Sequence, residues 1–142
     1  MAKSFTAALV MTSFLLPWLM AQDDWEKTRS IAEAQHEIVM LLIKNKQYDK
    51  VLPASKKIFA LNFPPAREYQ LVDHARLASA SLSDQANYTL AHQLLDEALK
   101  SVHTKKSKAT LFKEKALICS KTGQDGQAMK FLEEAVRLEE NP

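Results

Sequence analysis

Four histidines and a single cysteine are the residues best suited to chemistry in this 142-residue chain. His36, His74, His92 and His103 could ligate a metal, and Cys119 could act as a nucleophile if a base lay beside it. Their spacing favours neither role. His36-Glu37 is followed at the helical repeat by Met40 rather than a second histidine, so the His-Glu-x-x-His pattern that sets two imidazoles on one helix face is missing. Cys119 falls where a helix is expected to face inward, and a buried thiol behaves as a small inert hydrophobe. There is no glycine-rich phosphate loop and no nucleophile elbow, and the carboxylates fall on polar helix faces rather than in a buried pair. We therefore expect no catalytic residue, no metal ligand set and no cofactor. The alternative is a small-ligand or metal-responsive site assembled from His36, Met40 and His74 on separate helices. Asn87-Tyr88-Thr89 has the form of a glycosylation acceptor.

The amino terminus carries a different kind of signal. Met1-Ala2-Lys3 precedes an apolar run from Phe5 to Met20, and Ala21 stands before Gln22-Asp23-Asp24. One positive charge, an apolar stretch and a small residue before a polar segment form the layout of a secretory signal peptide, with cleavage expected after Ala21 and export to a periplasm or the cell exterior. An uncleaved anchor is the rival, since Ser4 to Ala21 lies at the short edge of the length needed to span a bilayer. Residues 22–142 then form one domain with 18 basic and 17 acidic side chains. So balanced a surface attracts no polyanion, and a protein or peptide partner is expected in place of a nucleic acid. One cysteine permits no intrachain disulfide.

The domain is expected to be all-α. Alanine, leucine, lysine, glutamate and glutamine dominate, and the only glycines are Gly123 and Gly126. Six helices are expected. The first runs from about Asp24 to Asn45, capped by Asp23, with Trp25, Ile31, Ile38 and Leu42 on its buried face and Ala34, Val39 and Leu41 widening the stripe. The second segment runs from Tyr48 to about Leu61, and Pro53 within it implies that the helix begins near Leu52 or bends there; the third runs from Pro65 to Leu82 with Tyr69, Val72, Ala75, Leu77 and Ala78 apolar. Ser83-Asp84 should turn the chain into the fourth, which extends to Val102. The fifth covers Lys108 to Lys121 and ends at Gly123; the sixth is capped by Asp125. Short breaks make successive helices antiparallel neighbours.

Residues Ala109 to Pro142 resemble a tetratricopeptide repeat, a 34-residue helix–turn–helix unit. Phe112 stands at its early aromatic position, Ala116 at its small position and Gly123 at its turn. Ala128, Leu132 and Ala135 give the small–large–small series of the second helix. Ala91, Leu95 and Ala98 repeat that series, with Ala86 in place of the turn glycine, and Gln47-Tyr48-Asp49 resembles the same turn earlier in the chain. The resemblance implies about three stacked hairpins, an α-solenoid whose concave groove receives a peptide or partner helix. Its groove positions fall on Glu33, His36, Met40 and Ile43, then Asp73, Arg76 and Ala80, then Thr110, Lys113, Leu117 and Lys121. Leu117 replaces the asparagine with which one subtype grips a terminal carboxylate, so clamping of that kind is not implied. Charged residues of the last helix, from Asp125 to Glu140, are expected to solvate its outer side.

Overall fold

Strong helix formers fill nearly every stretch of this chain, so its architecture is decided where the helices stop. A computed structural model describes the backbone of residues 3–141 and the side chains of residues 24–141. Among them are α1 (Lys3–Lys44), α2 (Tyr48–Phe59), α3 (Glu68–Asp84), α4 (Tyr88–Ser101), α5 (Lys105–Lys121) and α6 (Asp125–Glu140), with a 3-10 turn at Pro65–Arg67 and no strand. The all-α expectation holds. The side chains of the expected leader, residues 1–21, lie outside the described residues. No helix among the described residues is long and apolar enough to cross a membrane.

Three turns share one construction. Lys46, Ala86 and Gly123 have φ of 57°, 58° and 73°, the left-handed conformation. Behind each, an amide reaches back five residues: Gln47 N donates to Leu42 O at 2.9 Å, Asn87 N to Leu82 O at 2.9 Å and Gln124 N to Cys119 O at 2.8 Å. A shorter bond closes each turn, from Lys46 N to Ile43 O, Ala86 N to Ser83 O and Gly123 N to Ser120 O. This pair of bonds satisfies the last carbonyls of a helix, and it requires φ > 0 at the residue between. The three turns stand 40 and then 37 residues apart. Only the third was legible as glycine.

Several helix ends differ from expectation. α1 does not begin at Asp24: its backbone is already helical before Asp24, and the expected cap at Asp23 is a side chain outside the described residues. α3 continues through Asp84, and the cap of α4 is Asn87, whose Oδ1 accepts from Leu90 N at 3.3 Å. Thr104 starts α5 at Lys105 by accepting from Ser107 N at 3.2 Å, a cap hidden in what reads as a polar break. Asp125 is the first residue of α6 and makes no capping bond. Pro53 sits inside an unbroken α2.

α1 packs on α2, α3 on α4 and α5 on α6. The first helices of these pairs also touch in order, α1 with α3 and α3 with α5, while α2 meets α4 and α4 meets α5. One apolar cluster runs through the first five helices, from Val39 and Ile43 through Ile58, Leu71, Leu82, Leu94 and Leu95 to Leu111 and Ile118. Two small clusters fasten α6, one at Ala109, Ala135 and Leu138 and one at Ala116, Cys119 and Ala128. Small side chains at these crossings let the helix axes approach.

The loop between α4 and α5 is tied to the start of α3. Buried Glu68 accepts from His103 N and Thr104 N, both at 2.9 Å, and from Thr104 Oγ1 at 2.8 Å. Burial pushes its carboxyl pKa up, but these bonds together outweigh burial and hold it below its ordinary value.

The faces of α1, α3 and α6 are not all as expected. Ile31, Ile38 and Leu41 are 46, 47 and 53% exposed, whereas Val39 of the same expected stripe is buried, together with Ile43. Tyr69 and Leu77 are likewise exposed on α3. Leu132 does not enter the core, and with Met129 and Val136 it leaves an apolar stripe on the side of α6 expected to be solvated by charge.

The turns make a direct prediction. A Cβ on Gly123 would meet nothing within 4 Å, so Gly123→Ala costs only the left-handed conformation, about 1 kcal/mol. Ala86→Gly should gain about 0.5–1 kcal/mol for the converse reason. Opposite shifts in thermal midpoint are expected, and shifts of the same sign would contradict the turn geometry.

Candidate binding groove

The first helices of the three pairs, α1, α3 and α5, lie side by side, and hollows open where their outer faces meet. One, of about 220 Å³, is walled by Ala32, Ile58 and Leu77 and rimmed by Glu33, Glu37 and Asp73. A second, of about 410 Å³, lies between α3 and the start of α5, against Tyr69, Val72, Arg76, Lys106 and Thr110. A third, of about 280 Å³, is bounded by Arg76, Leu77, Ala80 and Glu114. Asp73 lines all three, so the hollows adjoin one another along α3.

Two histidines from separate helices meet at the floor of the first hollow. His36 Nδ1 and His74 Nδ1 are 2.6 Å apart with their rings edge to face, and His74 Nε2 lies 3.4 Å from Ser55 Oγ. One Nδ1 must carry the shared proton and the other accept it, because two N–H groups cannot point at each other. His74 is buried beneath Phe59. Burial first, then the neighbouring His36, push its pKa down to about 3, which leaves it neutral across the ordinary range. Met40, grouped with these two from sequence, is half-buried against the core instead. Among the described residues no group of three or more His, Cys, Asp and Glu could hold a metal ion.

The expected groove residues fall into four sets. His36, Arg76, Glu33, Asp73, Ala80 and Thr110 line the hollows. Leu117 and Lys121 are exposed on α5 beyond them, Lys121 at 4.0 Å from Asp84. Lys113 turns toward α6 and pairs with Glu139 at 2.5 Å. Ile43 is fully buried and cannot line a groove, since α1 closes on α2 at that end. Sequence reasoning missed Gln70, Leu77, Lys106 and Glu114. Leu77 was grouped with the apolar residues of α3 by its type, and only the packing of α3 against α1 and α5 shows which side is covered.

The groove is less basic than its residue types imply. Arg76 donates to Glu114 at 2.8 Å and lies 3.6 Å from Asp73. The bond to Glu114, then its charge, raises the guanidinium pKa.

The other polar contact with chemical potential joins α4 to α5, where His92 Nε2 stands 3.9 Å from Cys119 Sγ. Burial raises the thiol pKa and lowers that of His92, so both groups favour their neutral forms. A thiolate nucleophile needs the opposite shift in sulfur. Beside them Lys115, nearly buried, pairs with Asp96 and lies over the ring of Phe131.

Comparison of the chain with protein-family models, with curated proteins and with solved structures finds no match.

The depressed His74 pKa sets a pH dependence. Above about pH 6.5 His74 is neutral in both folded and unfolded chains. As pH falls toward 3 the unfolded chain takes a proton that the folded one refuses, so stability should fall by up to about 1.4 kcal/mol per pH unit. Denaturant titrations between pH 7 and 4.5 should show a steeper loss for the native chain than for His74→Gln. Equal slopes would mean that His74 titrates freely.

Proposed function

We propose that this chain is an exported, non-enzymatic interaction module whose three hairpins stack as tetratricopeptide-like repeats and bind a peptide or partner helix along α1, α3 and α5. The observation that carries this reading is the run of adjoining hollows with Asp73 in common. The three identical turns and the neighbour order of the helices support the stack. Export rests on the leader-like residues 1–21. The mixed rim sets the partner's chemistry: apolar side chains for Ala32, Ile58 and Leu77, with a cation for Glu33, Glu37 and Asp73 at the α1 end.

Crosslinking in the native cell, followed by identification of the captured protein, supplies the partner for the test. Asp73→Lys with Arg76→Glu reverses both charges at the centre of the groove, and capture should drop on the order of tenfold or more while circular dichroism is unchanged. Undiminished capture would remove this surface.

A second reading has one specific observation behind it. His36 and His74 converge with their Nδ1 atoms at 2.6 Å, and a small spreading of the rings would let both ligate a soft or borderline metal. Zinc, copper or nickel should then raise the thermal midpoint of the native chain and leave His36→Ala unmoved. No rise with any of the three would exclude it.

A further inference from the structure

Two seams join successive hairpins, the first through α1 with α3 and α2 with α4 and the second through α3 and α4 with α5, and an apolar face stays bare on α1 and on α6. At the first seam Ser55 and Phe59 of α2 meet His74 of α3. At the second, His92 and Asp96 of α4 meet Cys119 and Lys115 of α5. The left-handed residues at 46, 86 and 123 put the hairpins in register. In that register Leu52, Ser55 and Phe59 of α2 correspond to His92, Leu95 and Leu99 of α4, and to Met129, Leu132 and Val136 of α6. The first two sets face a following hairpin. Among the described residues nothing covers the third set, whose members are 60, 46 and 49% exposed.

The opposite half is bare on α1. Leu71, His74 and Ala78 are buried where α3 faces the hairpin before it, as are Leu111, Lys115 and Ile118 of α5. Their counterparts in α1 are Ile31, Ala34, Ile38 and Leu41, a row exposed along its whole length. Charge follows the same register. Arg76 of α3 bridges to Glu114 of α5 at 2.8 Å, and the pair one seam onward is Lys113 with Glu37, again of opposite sign. The counterpart of Asp84 with Lys121 is Lys121 with Lys44, a like-charged pair at the rim that weakens the seam without closing it.

We infer that a second copy of this chain completes the seam: the Ile31–Leu41 row of one copy seats against the Met129–Val136 row of the next, continuing the stack head to tail. The inference rests on the stacked-hairpin reading but not on the groove's binding a peptide. Such a contact is heterologous, so it adds copies until a ring closes or the ends are blocked.

The test uses the full chain as its cell matures it, followed by sedimentation over a range of concentrations. The native chain should assemble as concentration rises. Ile38→Asp and Leu132→Asp should each weaken assembly on the order of tenfold or more, since each puts a charge in the seam. Mixed in equal amounts they should form a dimer and nothing larger, because each supplies the face the other lacks. Ile38→Ser and Leu132→Ser repeat the mixture without a buried charge, should either aspartate disturb the helical signal. A native chain that stays monomeric overturns the proposal, as does a mixture that fails to pair. Loss of assembly in only one of the two variants overturns it too, since that is the mark of a symmetric contact through one face. Scattering from the mixture should show a particle elongated along the stack; a compact dimer would count against the stacked hairpins themselves. Partner capture through Asp73 and Arg76 is read separately, so its loss with assembly intact would fall on the groove alone.

Discussion

A pair of helices has two broad faces, and contact between the two helices covers only part of each. The rest of this structure follows from that shortage. α3 illustrates it: Leu71, Ala75, Ala78 and Leu82 form one buried stripe, and His74 at its edge is covered by His36 of α1 and by Ser55 and Phe59 of α2. Each large apolar side chain so covered is worth about 1.5–3 kcal/mol, which a lone hairpin of this size cannot forgo. Contact between hairpins therefore supplements the more extensive packing within each.

Polar groups set the alignment of those contacts. His36, His74 and Ser55 join three helices at the first seam, and Lys115 with Asp96 joins two at the second. An apolar seam tolerates sliding by a turn of helix, whereas a buried imidazole or ammonium left without its partner is penalised. Such groups add little net stability and narrow the choice of arrangement. Glu68 does the same for the loop at His103 and Thr104, holding α5 at a fixed height against α3.

How far this was readable from sequence depends on which residues carried the information. Helix content and the hairpin count were, because composition and spacing are local properties. Gly123 announced its turn, but Lys46 and Ala86 adopt the same left-handed conformation without glycine, and only the stabilising bonds to Leu42 and Leu82 reveal it. Thr104 and Asn87 were overlooked as caps because polar loops contain many candidates. The faces of α1 and α6 were misassigned for a deeper reason. Ile31, Ile38, Leu132 and Val136 have the spacing of core residues, and periodicity cannot say whether a neighbour exists to cover them. His36 and Arg76 were placed on the groove by position alone, while Glu114, which neutralises Arg76, lies 38 residues away and could be matched to it only in the folded chain.

That neutralisation alters what the proposed groove can select. A guanidinium already held by Glu114 and Asp73 gains little from a further carboxylate, since an incoming anion would have to displace partners at 2.8 and 3.6 Å. Lys113 is engaged by Glu139 in the same way. Discrimination would therefore come less from attraction to negative charge than from fit: a side chain must fill the space between Ala32, Ile58 and Leu77 above His74, which stays neutral. An apolar hollow beneath an acidic rim accepts an apolar stem ending in a cation and rejects a carboxylate there, because the carboxylate would lose its water and find Glu33 and Glu37 beside it.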